Sequence, residues 1–240
     1  MKKRVLSLMI VAALVFLCGC SAESEVIEVE AQYEAAVVDA MLAEESEVYD
    51  LVVLDAESDM VTFNDDNEVL LVTWNKYPDS YPEGEVVELV YGSIWVFTDK
   101  EILAWYEETE GEISDYQLRL NQLIGLPADD DNTHFTAMWV DIDDVIRPAY
   151  FTDAESSEMD IENYDMESDF ETWFNSNIIS SYYSEYQYPW TRLGYTYDWC
   201  ADSDEYGLTE FLVKENSQVT VEFTMTTEEF IAYMQSELAN

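Results

Sequence analysis

The sequence predicts an α+β fold, a single domain on a mainly antiparallel sheet with about four helices. Three observations carry that expectation. Strand-like runs and helix-like stripes follow one another without the regular alternation that a parallel sheet needs. No segment repeats at a fixed period, which sets aside solenoids and propellers. The 240 residues are 48% hydrophobic and 14% aromatic, enough to build a core despite a formal net charge of −44.

In chain order, residues 1–4 carry three positive charges, residues 5–17 are apolar apart from Ser7, and the run ends in LCGC at 17–20. This is the charged, apolar, small-residue order of a secretory signal. The run's thirteen residues fall short of the about 20 that cross a bilayer as a helix, so cleavage is expected rather than a permanent span. The segment 20–47 is rich in Glu, Ala and Val and lacks Gly and Pro. It reads as an acidic tether, partly helical, with Val37, Val38, Met41 and Leu42 on one side. Residues 48–240 read as the soluble acidic domain.

Within that domain, strands are expected at 49–54, 69–74 and 86–97, the last two separated by the turn YPDSYPEG. Four capping-box pairs mark helix starts: Thr98 with Glu101, Ser114 with Gln117, Ser168 with Glu171, and Thr226 with Glu229. Behind the second, Tyr116, Leu120, Leu123 and Ile124 share a face, Gly125 supplies a left-handed stop and Pro127 forbids continuation. Behind the third, Phe170, Trp173, Phe174, Ile178 and Tyr182 form a broad apolar stripe. A buried strand is expected at 135–140. Val219, Val221, Phe223 and Met225 alternate with polar residues as a one-face-buried strand should, and 208–213 is expected to pair with it as a hairpin. A last helix is built on Phe230, Met234 and Leu238.

Leu17, Gly19 and Cys20 resemble the lipobox of bacterial prolipoproteins, with Cys18 where the pattern usually has a small residue. The resemblance covers residues 1–20 and implies a signal peptide over 1–19, a lipid-modified Cys20 and an extracytoplasmic domain anchored to a membrane. Two or more acyl chains make such an anchor stable where one gives marginal binding. With Cys18 removed and Cys20 lipidated, Cys200 has no partner for an internal disulfide. The stretches RLNQLIGLP, FTAMWVDIDDVIRPAY and PWTRLGYTYDW are similar to exported bacterial proteins without assigned function, a likeness that implies no activity.

All 53 Asp and Glu lie beyond residue 20, whereas three of the nine Lys and Arg lie before it. Such a charge repels nucleic acid and anionic lipid headgroups and attracts cations. The seven glycines are too dispersed for a phosphate-cradling loop, GxSxG is absent, and the lone His134 rules out HExxH or a His-rich zinc site. We expect His134 to be a structural or surface histidine, because a general base needs a partner that the sequence does not identify.

Three candidate sites remain. Arg119, Arg147 and Arg192 either pair singly with carboxylates or converge to grip an anion. Tyr188, Trp190, Tyr195, Tyr197 and Trp199 either form a stacking surface for sugars or peptides or pack their rings into the core. Asp202 and Asp204, with Gly207, match part of a calcium loop whose twelfth place is Val213 instead of Glu, so calcium is the only cofactor the sequence suggests. The resulting expectation is a lipid-anchored, non-catalytic binding or interaction module of the cell envelope, with a protein, glycan or cation as partner. The alternative is an envelope hydrolase using paired carboxylates, which would show a concave pocket holding two acids, one with raised proton affinity.

Overall fold

A strand buried on both faces forms the middle of the sheet. The computed structural model describes residues 26–162, 164, 166–201 and 203–239, so the leader and Cys20 lie outside the described residues. Strand β1 (Glu68–Asn75) has six consecutive buried residues, as a strand covered on both faces must. Around it, β2 (Val86–Glu88), β3 (Ile94–Thr98), β4 (His134–Asp141), β5 (Val145–Ile146), β8 (Phe211–Val213) and β9 (Gln218–Thr226) form a seven-stranded sheet in the order β2-β9-β4-β1-β3-β8-β5. Every neighbouring pair is antiparallel. A separate two-stranded ribbon pairs β6 (Tyr195–Asp198) with β7 (Glu205–Thr209). The architecture is therefore α+β and mainly antiparallel.

Helix α1 covers 26–39, followed by α2 (Asp99–Thr109), α3 (Tyr116–Leu123), α4 (Ser168–Tyr183) and α5 (Thr227–Leu238). The apolar faces of α2, α3 and α5 cover one side of the sheet, where Ile102, Tyr106, Leu120, Leu123, Phe230 and Met234 meet Val72, Phe97 and Phe135. On the other side Leu71, Met138, Val140 and Phe211 pack beneath irregular segments carrying Leu54, Val61 and Ala154. Among the described residues, no helix is long and apolar enough to cross a membrane.

Several local expectations are corrected. Of the four expected pairs, Thr226 and Glu229 alone make a complete capping box. Thr98 caps α2 by accepting from the Glu101 amide, but the Glu101 side chain turns inward to Thr209 and Tyr206. Asp115, not Ser114, caps α3, and α4 begins at Ser168 without a side-chain cap. Residues 49–54 are not a strand, although Leu51 and Leu54 are buried. The 86–97 stretch splits into β2 and β3 around Gly92, whose φ of 120° no strand holds. The expected 208–213 hairpin does not form, because β8 pairs with β3 and β5 while β9 pairs with β2 and β4.

The segment expected to be a tether is docked along one side of α1. Ala36 and Ala40 pack with Tyr182, Tyr197 and Trp199, and the Ala40 carbonyl accepts from the Tyr182 hydroxyl (2.9 Å) and from Arg192 Nη2 (2.8 Å). Val37 is buried, but Val38 and Leu42, expected beside it, are 66% and 65% exposed. The small Ala36 and Ala40 set the docked face, because they allow the helix to approach the aromatic side chains closely.

Candidate functional site: an acidic cleft

The cleft forms where α2, α3 and the β6–β7 ribbon meet. Thr98 and Asp115 cap the two helices and fix their starts. Burial of Ile102 and Tyr106 on α2, and of Leu120 and Leu123 on α3, turns Trp105, Glu108 and Arg119 toward the space between them. The ribbon approaches closely because Gly207 has no side chain: a Cβ there would lie 2.1 Å from the Leu123 carbonyl oxygen. The cleft encloses about 770 Å³.

Its walls carry seven carboxylates, from Asp50, Glu101, Glu108, Glu112, Asp115, Asp198 and Asp204, against one cation, Arg119. Arg119 is already engaged. Its Nη1 and Nη2 donate to Asp198 Oδ1 and Oδ2 at 3.0 and 2.6 Å, and the guanidinium lies 5.2 Å from the centre of the Trp105 ring. Burial pushes the Asp198 carboxyl up, opposed by the hydrogen bonds and charge of Arg119. The Trp105 indole nitrogen is out of reach of water and has no hydrogen-bond partner among the described residues.

Glu101 lies at the base of the cleft, 6% exposed. Its Oε1 accepts from the Tyr206 hydroxyl (2.8 Å) and the Thr209 hydroxyl (3.0 Å), and the Thr209 amide is 3.0 Å from both carboxyl oxygens. Burial pushes this carboxyl up too, against those hydrogen bonds and the charge of Arg147.

A second acidic group sits outside the cleft, where one oxygen each from Asp39, Glu47 and Glu205 lie within 4.8 Å of one another. Tyr197 donates to Asp39 Oδ2 at 3.0 Å. Burial raises the proton affinity of Glu47 and Glu205, and the neighbouring Asp39 charge adds to it in both. Oxygen-only ligands at this spacing suit a hard divalent cation such as calcium.

Each of the three arginines is engaged by its own partners. Arg119 is paired with Asp198. The fully buried Arg147 donates to the carbonyls of Val52, Asp153 and Ser156, and desolvation lowers its pKa to about 10. Arg192 donates to Ala40 and the Tyr150 hydroxyl and lies over the Tyr150 and Tyr182 rings. Among the described residues the three guanidiniums share no hydrogen-bond acceptor. Only Arg119 has the carboxylate partner expected of each. The aromatic surface is corrected as well: Trp190, Tyr195, Tyr197 and Trp199 are buried and Tyr188 alone is exposed, because the ribbon carries its rings against α1, α4 and the segment around Leu51.

Of the calcium candidates, Asp202 lies outside the described residues and Asp204 lines the cleft. Gly207 sits inside β7 rather than at the turn of a calcium loop, so its role is the close approach to α3. His134 is the first residue of β4, with its Nδ1 2.8 Å from the Thr133 hydroxyl. Residue-by-residue reading missed Glu101, Glu210 and the Asp39, Glu47, Glu205 group. Glu210 had a legible signal, a lone acid within the apolar run LTEFLV. The other residues come together only through long-range contacts.

No protein-family model, curated protein or solved structure matches the chain.

Proposed function

We propose that the chain is an exported lipoprotein, anchored through lipid on Cys20, whose globular part is a non-catalytic binding module of the cell envelope with the acidic cleft as its site for a cationic ligand. One observation carries the ligand class: seven carboxylates face a single guanidinium that Asp198 already neutralises. A cation entering this space gains from the summed field of the carboxylates. The location rests on the leader and lipobox at 1–20. Six residue steps join Cys20 to the first described residue, Val26, a reach of about 20 Å when extended, so α1 would begin close to the membrane.

Thermal melts of residues 21–240 with spermidine or trilysine, each compared with NaCl at matched ionic strength, test the cleft. The expected result is a rise in Tm specific to the polycation that Trp105→Ala combined with Glu108→Gln removes. A rise no larger than that given by NaCl, or one the double variant retains, would sink the site. Mass spectrometry of the protein from its host tests the anchor, with a diacylglyceryl group expected on Cys20.

One observation favours the hydrolase alternative, since Glu101 and Asp198 border the same cleft and burial raises the proton affinity of both. Binding is favoured because Asp198 holds Arg119 with both oxygens and Glu101 is engaged by Tyr206 and Thr209. Turnover of a glycan or peptide by the unaltered chain, abolished in Glu101→Gln, would reverse that order.

A further inference from the structure

Helix α1 carries a second apolar stripe on the side facing away from the body. Ile27, Ala31, Ala35 and Val38, with Leu42 in the turn just beyond the helix, follow one another at steps of three and four, and all are exposed, with Ile27 at 65%. In a chain with 53 carboxylates to place in solvent, apolar residues at these five positions need a reason. Ala31, Ala35, Val38 and Leu42 form the floor of a groove of about 580 Å³ whose rim is Glu34, Asp39, Glu44 and Glu47, and no Lys or Arg lines it; Ile27 continues the stripe one turn beyond it. At one end Asp39 and Glu47 meet Glu205 in the three-carboxylate group. The groove shares no lining residue with the cleft.

We infer that this outer face of α1 is a docking groove for a cationic amphipathic helix of a partner protein. The apolar side of the incoming helix would lie on Ile27, Val38 and Leu42, and its Lys or Arg would reach the acidic rim, the helix-in-groove mode of recognition. Charge complementarity selects this occupant. A second copy brings another net −44 and an anionic lipid surface brings more negative charge, so both are repelled, whereas a cationic helix satisfies floor and rim together. From Ile27 to Val38 the stripe runs about 17 Å, matching about three turns of a partner helix.

Fluorescence anisotropy on residues 21–240, which contain every element described, tests the proposal with three labelled peptides of equal length: a Leu/Lys amphipathic helix, a Ser/Lys peptide of the same charge, and a Leu/Glu helix. The Leu/Lys helix is expected to bind at least about tenfold more tightly than the Ser/Lys peptide, and the Leu/Glu helix not at all. Val38→Ser with Leu42→Ser should remove that preference, while Glu108→Gln in the cleft should leave it unchanged. Both replaced side chains are exposed, so the melting curve should hold. If it does not, the comparison of peptides on the unaltered chain still decides. Equal binding of the Leu/Lys and Ser/Lys peptides would reduce the groove to general charge attraction. Self-association in sedimentation that Val38→Ser with Leu42→Ser abolishes would assign the face to a second copy. Either result overturns the proposal.

Discussion

Glu101 and Glu210 are both buried glutamates, served from opposite sides of one strand end. Thr209, the last residue of β7, gives its amide and hydroxyl to Glu101 at the base of the cleft. The next residue, Glu210, projects the other way, as successive residues of an extended chain do, and reaches the indole of Trp190, whose ring forms an aromatic chamber with Trp95, Trp173 and Phe174. There Glu210 accepts from the Trp190 indole at 3.1 Å, a donor shared with the Pro148 carbonyl. Burial raises both carboxyls, Glu210 well above its ordinary range. Similar burial thus gives two different groups: an acid built into a network of donors, and one met by a single indole donor, whose carboxyl burial pushes well up.

The largest expected effect tests how far solvent reaches the cleft wall. Arg119→Met would leave Asp198, 3% exposed, without a counter-charge. Removing one partner of a buried pair costs about 3–5 kcal/mol, to be measured by urea unfolding. A loss below about 1 kcal/mol, the value of an exposed pair, would mean that water solvates Asp198 and that the cleft floor is not a low-dielectric site.

The same substitution should act with opposite sign at the two glutamates. Glu101→Gln replaces one acceptor oxygen with a donor facing Thr209 and Tyr206, and about 2 kcal/mol of stability should be lost. Glu210→Gln keeps an oxygen for Trp190 and cannot ionise. For an acid whose pKa is raised on folding, the unfolded chain releases the proton first, so the stability present below the unfolded value of about 4.3 is lost as pH climbs toward the folded value. Glu210→Gln should therefore stabilise by about 1 kcal/mol near pH 8, with the gain fading toward pH 4. Melts across that range check both. If the two variants shift in the same direction, the contrast between network and chamber fails.

What was legible in the sequence follows the range of the interactions. β1 and β4 were read from short apolar runs, and β9 and the apolar faces of α3, α4 and α5 from periodicity, because both kinds of pattern are local properties of the chain. Gly125 was read correctly as the stop of α3, with φ at 68°, since a left-handed residue is written in one position. Glu101 was misread because a Glu three places after a Thr satisfies the capping pattern, and only the distant Thr209 and Tyr206, more than a hundred residues away, show why it turns inward. Docking of α1 was hidden for the same reason: its partners Tyr182, Tyr197 and Trp199 come from the far end of the chain. The cleft is built entirely from such contacts, so its acids were present in the sequence without their arrangement.

The smallest effect separates surface charge from buried charge. Two ion pairs are formed among the described residues, Lys76 with Asp131 and Arg119 with Asp198, leaving most carboxylates to repel one another through solvent. Screening shortens that repulsion from a Debye length of about 10 Å at 0.1 M salt to about 3 Å at 1 M, so Tm should rise by a few degrees over this range. The gain from Glu210→Gln should be the same at both salt concentrations, because it comes from desolvation inside the aromatic chamber, which mobile ions do not enter. A gain that shrinks as salt rises would make Glu210 one more member of the surface field and erase its difference from the exposed acids.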